Sequence, residues 1–227
     1  MTPLVTRREM TAGMGMAALA PLLACAREPQ AAAAAGRGRL IAGDACPLTP
    51  QQTEGPFYFD PRLVRQDIRE GRPGVRLRLR LQVVGAADCA PAEGARVDLW
   101  HCDAAGVYSG YDRENSAGEA WLRGTQLADV DGVVAFETLY PGWYEGRATH
   151  IHCKARTEDG REIVSQIYFP DELSARIHAD SAYRGRDGRR VRNDEDGIFR
   201  RAGGAVPLAE LVRSAAGYDG AVVLALR

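Results

Sequence analysis

The stretch VRLRLRLQVV, residues 75–84, places the strongest constraint on the fold of this chain. Leucine and arginine alternate in it through Leu81. Successive side chains of a β-strand point to opposite faces, so this order creates one apolar face and one charged face. The segment therefore predicts a strand with one face buried in a core.

Further segments have the composition of strands and are separated by clusters of Gly, Pro, Asp and Asn, which form turns. These segments are residues 95–102, 133–139, 148–156, 162–169 and 221–226. Several strands at this spacing predict an all-β fold, a β-sandwich with long loops. Only short helices are predicted, at residues 60–68, directly after Pro170, and at residues 207–215.

The chain has 227 residues, which is enough for one domain with a sizeable core. Its formal net charge of -1 implies no nucleic-acid partner. Residues 44–227 are predicted to form the folded domain. Residues 26–43 are rich in Ala and Gly and have no periodic apolar pattern, which predicts a flexible linker.

Residues 1–25 are predicted to be a signal peptide. Arg7 and Arg8 directly precede a mostly apolar run, residues 10–24, which is too short to span a bilayer. Paired arginines there indicate the Tat route and predict a periplasmic or cell-surface protein. The run ends in LLAC, which resembles a lipobox and makes Cys25 a candidate lipid anchor. The alternative is an ordinary signal that is cleaved nearby, with Cys25 discarded.

Two of the four histidines of the chain, His150 and His152, lie two residues apart in a predicted strand. Residues i and i+2 of a strand share a face, so the two backbones lie roughly 6 to 7 Å apart, given a rise of about 3.3 Å per residue. Imidazoles at this spacing can converge on one metal ion. The alternative is a pair of surface or stacked histidines.

Two tyrosines, Tyr108 and Tyr144, lie near glycines at predicted strand ends or loops, where side chains can be aimed into a cleft. A phenol is a poor ligand at its ordinary pKa near ~10, but it deprotonates on a strongly Lewis-acidic ion. Phenolate is a hard oxygen donor that suits Fe(III) better than Zn(II) or Cu(I). The alternative is that both tyrosines are aromatic packing at turns.

Five motifs occur in the order TEGPFY, VDLWHCDAAGVYSGY, RGTQLADVDGVVAFETLYPGWYEGR, HIHCK and SQIYF, at residues 53–58, 97–111, 123–147, 150–154 and 165–169. Together they resemble the intradiol ring-cleavage dioxygenases, the family of catechol and protocatechuate 3,4-dioxygenases. The resemblance covers about residues 46–226. It implies a β-sandwich with an immunoglobulin-like or transthyretin-like core, in agreement with the predicted strands.

The resemblance also implies a ligand set for non-haem Fe(III), with a solvent hydroxide beside the protein ligands: Tyr108, Tyr144, His150 and His152. It implies that Arg147 lies beside the substrate and that Gln166 lines the pocket, with Ser165 in place of the usual Thr. The implied reaction uses O2 to open the ring of a catechol-type diol between its hydroxylated carbons, giving a cis,cis-muconate.

In this reaction the Tyr144 phenolate and the hydroxide are suitable bases for the diol protons. Arg147 would stabilise negative charge that builds on the ring. The alternative for Arg147 is a salt bridge to a nearby carboxylate such as Glu145.

For several other residues the sequence predicts a structural or surface role. Residues 54–58 either line the pocket or simply pack. His101 is predicted to have a structural hydrogen-bonding role, and His178 is predicted to be a surface residue. Residues 184–201 carry charges of both signs and are predicted to be a solvated loop, with contact to an acidic substrate as the alternative.

Four cysteines remain in the domain. Cys46 and Cys89 lie in loop-like stretches and are predicted to form a disulfide, which an exported protein can hold. Cys102 and Cys153 lie on predicted strands, where they either pair or stay buried thiols.

Two other functions compete with a ferric dioxygenase. One is a copper or zinc protein that uses the HxH pair, and those metals have little need of two phenolates. The other is a non-catalytic sandwich, a carrier or binding module. The identity of the catechol and the oligomeric state stay open.

Overall fold

The computed structural model describes Leu40 and residues 46–184, 188–203 and 205–227. The predicted signal peptide, the linker apart from Leu40, and the predicted start of the domain at residue 44 lie outside these residues. Within the described part of the chain, no helix is long and apolar enough to cross a membrane.

The described residues form eight strands arranged in two four-stranded sheets. In chain order the strands are β1 (Arg76–Gly85), β2 (Arg96–Trp100), β3 (Arg123–Leu127), β4 (Val133–Leu139), β5 (His150–Arg156), β6 (Glu162–Tyr168), β7 (Glu210–Ser214) and β8 (Gly217–Leu226). One sheet has the order β4-β1-β8-β7 and the other β3-β2-β5-β6. Only the β1–β8 pair is parallel among these strands.

The alternation predicted for β1 is confirmed. Leu77, Leu79 and Leu81 are fully buried, whereas the arginines between them are only partly covered. The three leucines belong to one core cluster with Leu99 of β2 and Ile151 of β5, which come from the other sheet. Burying one such side chain contributes roughly 1.5 to 3 kcal/mol. The predicted all-β sandwich is therefore confirmed, and its core lies between the two sheets.

The helix predicted at residues 60–68 is wrong, because this segment is an extended strap. The amide of Arg65 donates to the carbonyl of Thr125 at 3.0 Å, and the amide of Ile68 donates to that of Glu137 at 3.0 Å. The Ile68 side chain is fully buried. The backbone amides of the strap thus find their hydrogen-bond acceptors on β3 and β4. The sequence of residues 60–68 alone does not reveal these partners.

The helix predicted at residues 207–215 is also wrong. β7 pairs antiparallel with β8, with Ser214 opposite Gly217. Strand pairing overrides the helix preference of residues such as Leu and Glu in this segment. β3 was not predicted at all. Both β3 (RGTQL) and β7 (ELVRS) are only five residues long and lack the alternating apolar pattern of β1.

Two short helices and three 3₁₀ turns complete the described structure. α1 (Asp171–Ile177) follows Pro170 as predicted, and α2 (Gly197–Arg201) lies within the segment predicted to be a solvated loop. The 3₁₀ turns are Asp112–Glu114, Ser181–Tyr183 and Asn193–Glu195.

The predicted disulfide is confirmed: Cys46 and Cys89 are bonded, with their Cα atoms 5.6 Å apart. It ties the start of the described domain to the turn after β1. Cys102 and Cys153 are buried thiols outside any disulfide.

Candidate metal centre

The first three residues of β5 place two imidazoles on one buried face of the second sheet. His150 and His152 are both buried, and their Nε2 atoms lie 3.1 Å apart. Strand register places His152 opposite Trp100 of β2 and opposite Gln166 of β6. The Trp100 ring stacks on His152 with 4.9 Å between ring centroids. The predicted same-face arrangement is therefore present, and it is inside the protein.

Both tyrosines reach the same place from loops. The Tyr144 hydroxyl lies 3.1 Å from His150 Nε2. Tyr108 is 1% exposed, and its ring centroid lies 5.7 Å from that of Tyr144 and 6.3 Å from that of His152. Tyr108 comes from the loop after β2 and Tyr144 from the loop after β4. Tertiary folding thus unites four side chains, hereafter the Tyr/His cluster: Tyr108, Tyr144, His150 and His152.

Polar groups of the Tyr/His cluster lack partners that a buried site requires. Among the described residues, the Tyr108 hydroxyl interacts only with Tyr144, outside ordinary hydrogen-bond geometry, and His152 Nδ1 has no hydrogen-bond partner. An unsatisfied buried polar group costs about 1 to 3 kcal/mol. Such groups in a native structure call for an explanation such as an ion.

The hydrogen bonds of the two imidazoles also indicate a bound cation. His150 Nδ1 lies 2.7 Å from the carbonyl of Ala148, so we assign its proton to that bond and a lone pair to Nε2. Neither tautomer of His152 then satisfies both of its nitrogens: a proton on Nε2 leaves Nδ1 unpaired, and a proton on Nδ1 sets two lone pairs against each other. A cation bound at the Nε2 atoms would remove this repulsion. The donors are therefore suited to a metal ion.

The pKa values of the Tyr/His cluster show which protonation states its donors hold without a cation. Burial lowers the pKa of His150 to about 3 and that of His152 well below 6.5. Burial, helped by the neighbouring Tyr144, raises the pKa of Tyr108 well above 10.0. Without a cation, the Tyr/His cluster thus holds neutral imidazoles and neutral phenols. A highly charged cation would reverse this preference for the phenols, because it favours their ionised form.

The described residues hold no group of three or more His, Cys, Asp and Glu side chains that could bind a metal ion. Phenol oxygens are donors of another kind, and two of them lie in the Tyr/His cluster.

Arg147 lies at the edge of the Tyr/His cluster. Its Nη1 donates to the Tyr144 hydroxyl at 3.4 Å, and its Nη2 donates to Gln166 Oε1. Its Nε donates to Asp196 Oδ2 at 2.9 Å. The salt bridge considered for Arg147 therefore exists, but Glu145 is not the partner. The two interpretations are compatible, since one edge of the guanidinium meets the carboxylate and the other faces Tyr144.

The partner of Arg147 corrects a second prediction. Residues 184–201 were expected to be a solvated loop, yet Asp196 within them is fully buried. A run of mixed charges resembles a solvated surface, and nothing local distinguishes the one carboxylate that turns inward. The buried position of Asp196 was missed for that reason.

Gln166 links the cluster to the segment ahead of β1. It is fully buried on β6, and its Nε2 donates to the carbonyl of Thr53 at 3.1 Å. The Phe57 ring stacks on Tyr108 with 4.2 Å between centroids. A Cβ on Gly55 would lie 3.4 Å from His152 Cε1. Of the two roles considered for residues 54–58, packing is therefore present, and it is packing directly against the Tyr/His cluster.

One ion pair fastens this segment. Lys154 of β5 contacts Glu54 Oε1 at 2.6 Å and Glu162 Oε1 at 3.3 Å. Its ammonium also lies 4.9 Å from the centre of the Tyr58 ring. The segment is thus held at both ends, by Lys154 and by the Phe57 stack.

Arg123 is a second residue that sequence analysis missed. It is buried, and it donates from Nε to Ser109 Oγ, from Nη2 to the carbonyl of Ser109, and from Nη1 to the carbonyl of Phe57. It therefore holds the loop of Tyr108 and the segment of Phe57 together. Its place in the RGTQ motif was the only available signal.

The other two histidines are structural. His101 Nδ1 donates to the carbonyl of Cys102 at 2.8 Å, and Thr138 Oγ1 lies 2.7 Å from Nε2. The role predicted for His101 is confirmed. The surface position predicted for His178 is wrong: it is half-buried, and its Nε2 donates to the carbonyl of Pro141 at 3.1 Å. His178 thereby holds the start of the loop that carries Tyr144.

We expect His101 to make stability depend on pH. Burial lowers its pKa to about 4 from 6.5, against weaker raising effects of the bond to the Cys102 carbonyl and of Asp103, with a weak lowering by Arg123. Between these values the unfolded chain binds a proton that the folded chain does not, so stability is lost as the pH falls from 6.5 towards 4. The loss for one such group is about 1.4 kcal/mol per pH unit.

Urea denaturation at several pH values measures this dependence. The lowered pKa of His150 makes stability depend on pH with the same sign. The contribution of His101 is therefore measured as a difference between two proteins. The free energy of unfolding should change less steeply with pH in His101→Gln than in the wild type, by about 1.4 kcal/mol per pH unit. Equal slopes for the two proteins would contradict the assignment.

Comparisons with known proteins agree on one family. The Dioxygenase family model matches residues 50–195. A solved intradiol ring-cleavage dioxygenase from Tetranychus urticae is 33% identical, with a TM-score of 0.75 over 80% of this chain and 95% of that chain. The dioxygenase domain of a dioxygenase carbohydrate-binding protein fusion from Streptomyces sp. SirexAA-E is 28% identical, with a TM-score of 0.60 over 79% of this chain and 99% of that chain.

Among curated proteins, catechol 1,2-dioxygenase 1 of Acinetobacter lwoffii is 28% identical over 162 residues, which cover 61% of this chain and 51% of that protein. This chain thus spans about half the length of that relative. The fold and the match over more than half of the residues define a dioxygenase domain. Within that class, the chain belongs to the intradiol ring-cleavage dioxygenase family.

Proposed function

We propose that this protein is a non-haem Fe(III) enzyme that uses O2 to cleave the ring of a catechol-type diol between its two hydroxylated carbons. The observation that carries the proposal is the buried Tyr/His cluster, whose Tyr108 hydroxyl has no partner of ordinary geometry among the described residues. Membership of the family supports the reaction, and the catechol dioxygenase of A. lwoffii supports the substrate class.

The proposed ligands are Tyr108, Tyr144, His150 and His152. A ferric ion held by them would bind the diol oxygens and make the ring reactive towards O2. Two phenolates favour ferric iron over zinc or copper, which is the reason to prefer this function over the other metalloproteins considered.

Tyr144 is the proposed base. Its hydroxyl lies between His150 Nε2 and Arg147 Nη1, at 3.1 and 3.4 Å. Once ionised, the phenolate can accept a proton from the diol, whose hydroxyl is of similar acidity. Arg147 stabilises the negative charge of the phenolate and, after the proton has moved, that of the bound substrate. Gln166 fixes the position of Arg147 through its Oε1 atom.

The surroundings of the Tyr/His cluster limit its contact with water. Trp100 stacks on His152, and Phe57 stacks on Tyr108. Electrostatic interactions are stronger in such a partly dry site than in water. The arginine is therefore placed where its charge has the largest effect on the reaction.

Colour and oxygen uptake test the function. Purified from iron-replete cells, the protein should be wine-red from phenolate-to-Fe(III) charge transfer, and catechol should shift the band. Catechol, protocatechuate and hydroxyquinol are then screened by O2 uptake, with both atoms of ¹⁸O2 expected in a muconate-type product. Chelation should abolish colour and uptake together, and Fe(III), but not Zn(II), should restore them. A colourless, iron-free protein would contradict the proposal, and an iron protein that consumes no O2 with any diol would indicate a binding module.

We also propose, from Arg7 and Arg8 and the apolar run that follows them, that the protein is exported by the Tat route. Replacing both arginines by lysine should leave the protein in the cytoplasm. Detection of the wild-type protein only in the cytoplasm would contradict export. Labelling with a fatty acid tests the anchor at Cys25.

A further inference from the structure

Asp196 is a fully buried carboxylate with four donors around it. Oδ2 accepts from Arg147 Nε at 2.9 Å and from the amide of Ala148 at 2.9 Å. Oδ1 accepts from the amides of Ile198 and Phe199 at 2.7 and 3.2 Å, at the start of α2. These contacts and the charge of Arg147 hold the pKa of Asp196 below its ordinary value, despite burial. The carboxylate therefore stays ionised and rigid.

The direction of the Arg147 guanidinium follows from this contact. The group is planar and its donors form a fixed fork, so a bond at Nε leaves the two Nη groups little freedom. Here those groups face the Tyr144 hydroxyl and Gln166 Oε1. Because Asp196 also accepts from Ala148, the neighbour of Arg147 in the chain, it fixes backbone and side chain together.

Asp196 is itself held independently of the Tyr/His cluster. Asp171, at the start of α1, accepts from Arg190 Nη1 at 2.7 Å and from the amide of Asn193 at 3.1 Å. The Asn193 side chain donates to the carbonyl of Phe169 at 2.8 Å. The segment ahead of α2 is thus fixed to the end of β6 and the start of α1. This gives Asp196 a position that does not depend on the metal.

We propose that Asp196 is a positioning residue, which acts through Arg147 to hold the guanidinium against Tyr144 and the substrate. The inference rests on the proposed function for its effect on the reaction, but the geometry itself can be tested without metal. Asp196 offsets the charge of Arg147 on the side away from Tyr144. The stabilisation that the guanidinium gives to Tyr144 and the substrate therefore depends on which of its edges faces them.

The first test compares Asp196→Asn with Asp194→Asn in the iron-loaded protein. Asp194 lies in the adjacent 3₁₀ turn, and its side chain is 77% exposed, so its variant is a matched control. With catechol as the probe, Asp196→Asn should lower kcat/KM by about 10²-fold, the cost of misplacing a reacting group by about 1 Å. Iron content should stay unchanged, because no ligand is altered. Equal activities of the two variants would overturn the inference.

The second test introduces Asp196→Asn and, as its control, Asp194→Asn into a protein that already carries Arg147→Gln. If Asp196 acts through Arg147, Asp196→Asn should then change kcat/KM by less than about 3-fold, since interacting residues are not additive. A full further loss in that background would show a merely structural role and overturn the inference.

The third test uses the metal-free wild-type protein. The Arg147 Nε–H signal in ¹⁵N NMR should exchange with solvent much more slowly than those of exposed arginines, because Asp196 accepts it in a buried place. Exchange as fast as that of exposed arginines overturns the inference even if Asp196→Asn does not fold. A wild-type protein that shows this protection but cleaves no diol would instead refute the proposed function alone.

Discussion

Tyr108→Phe should remove most of the colour and most of the bound iron, while leaving the metal-free protein at least as stable as the wild type. The substitution deletes only a hydroxyl that is buried without a partner of ordinary geometry among the described residues. Losing an unsatisfied group costs no stability. Losing a phenolate ligand should reduce activity by at least ~10²-fold, more than second-sphere changes commonly do.

Tyr140→Phe is the matched control for this experiment. Tyr140 is equally buried, but its hydroxyl is paired with Ser174 Oγ at 2.7 Å. The control should lose about 1 kcal/mol of stability and keep its iron. Iron analysis, the visible spectrum and urea denaturation of both variants give the answer. Unchanged colour in Tyr108→Phe would refute its role as a ligand.

Gly142→Ala should destabilise the fold and separate the two tyrosine loops. A Cβ on Gly142 would lie 2.5 Å from the carbonyl oxygen of Ala104 and 2.6 Å from that of Asp103. Both contacts are with backbone, so no side-chain rotation relieves them. Overpacking of this kind costs about 1 to 3 kcal/mol. Because the Gly142 amide also donates to Asp103 at 3.1 Å, this contact joins the loop of Tyr144 to the turn that leads into Tyr108.

Gly146→Ala separates this steric effect from backbone strain. Gly146 lies in the same loop with φ +78, and a Cβ there meets nothing within 4 Å. Its variant should lose about 1 kcal/mol through the left-handed conformation alone. Only Gly142→Ala should also bind iron more weakly in a titration of the metal-free protein. Equal iron affinity in the two variants would show that the close approach does not set the Tyr108–Tyr144 distance.

The parts of the fold that could be predicted from the sequence are those with a local physical cause. The leucine face of β1 and the shared face of His150 and His152 both follow from the two-residue period of a strand, which is independent of everything else in the chain. The strap at residues 60–68 depends on partners far along the chain, and the edge strand β7 depends on its hairpin with β8. Both were mistaken for helices. Their backbone donors are satisfied by β3, β4 and β8.

The candidate site divides in the same way. By itself the sequence determined the sandwich core, the disulfide partners, the histidine pair and, through ordered motifs, the two tyrosines. Only the tertiary structure decided that Arg147 is held by Asp196, which lies 49 residues further along the chain, and that Arg123 braces the loop of Tyr108. A charged residue has the same local signature on a surface as in a buried pair. Whether a charged residue is exposed or buried in a pair depends on the residues that pack around it. Those neighbours come from distant parts of the chain and meet only when it folds.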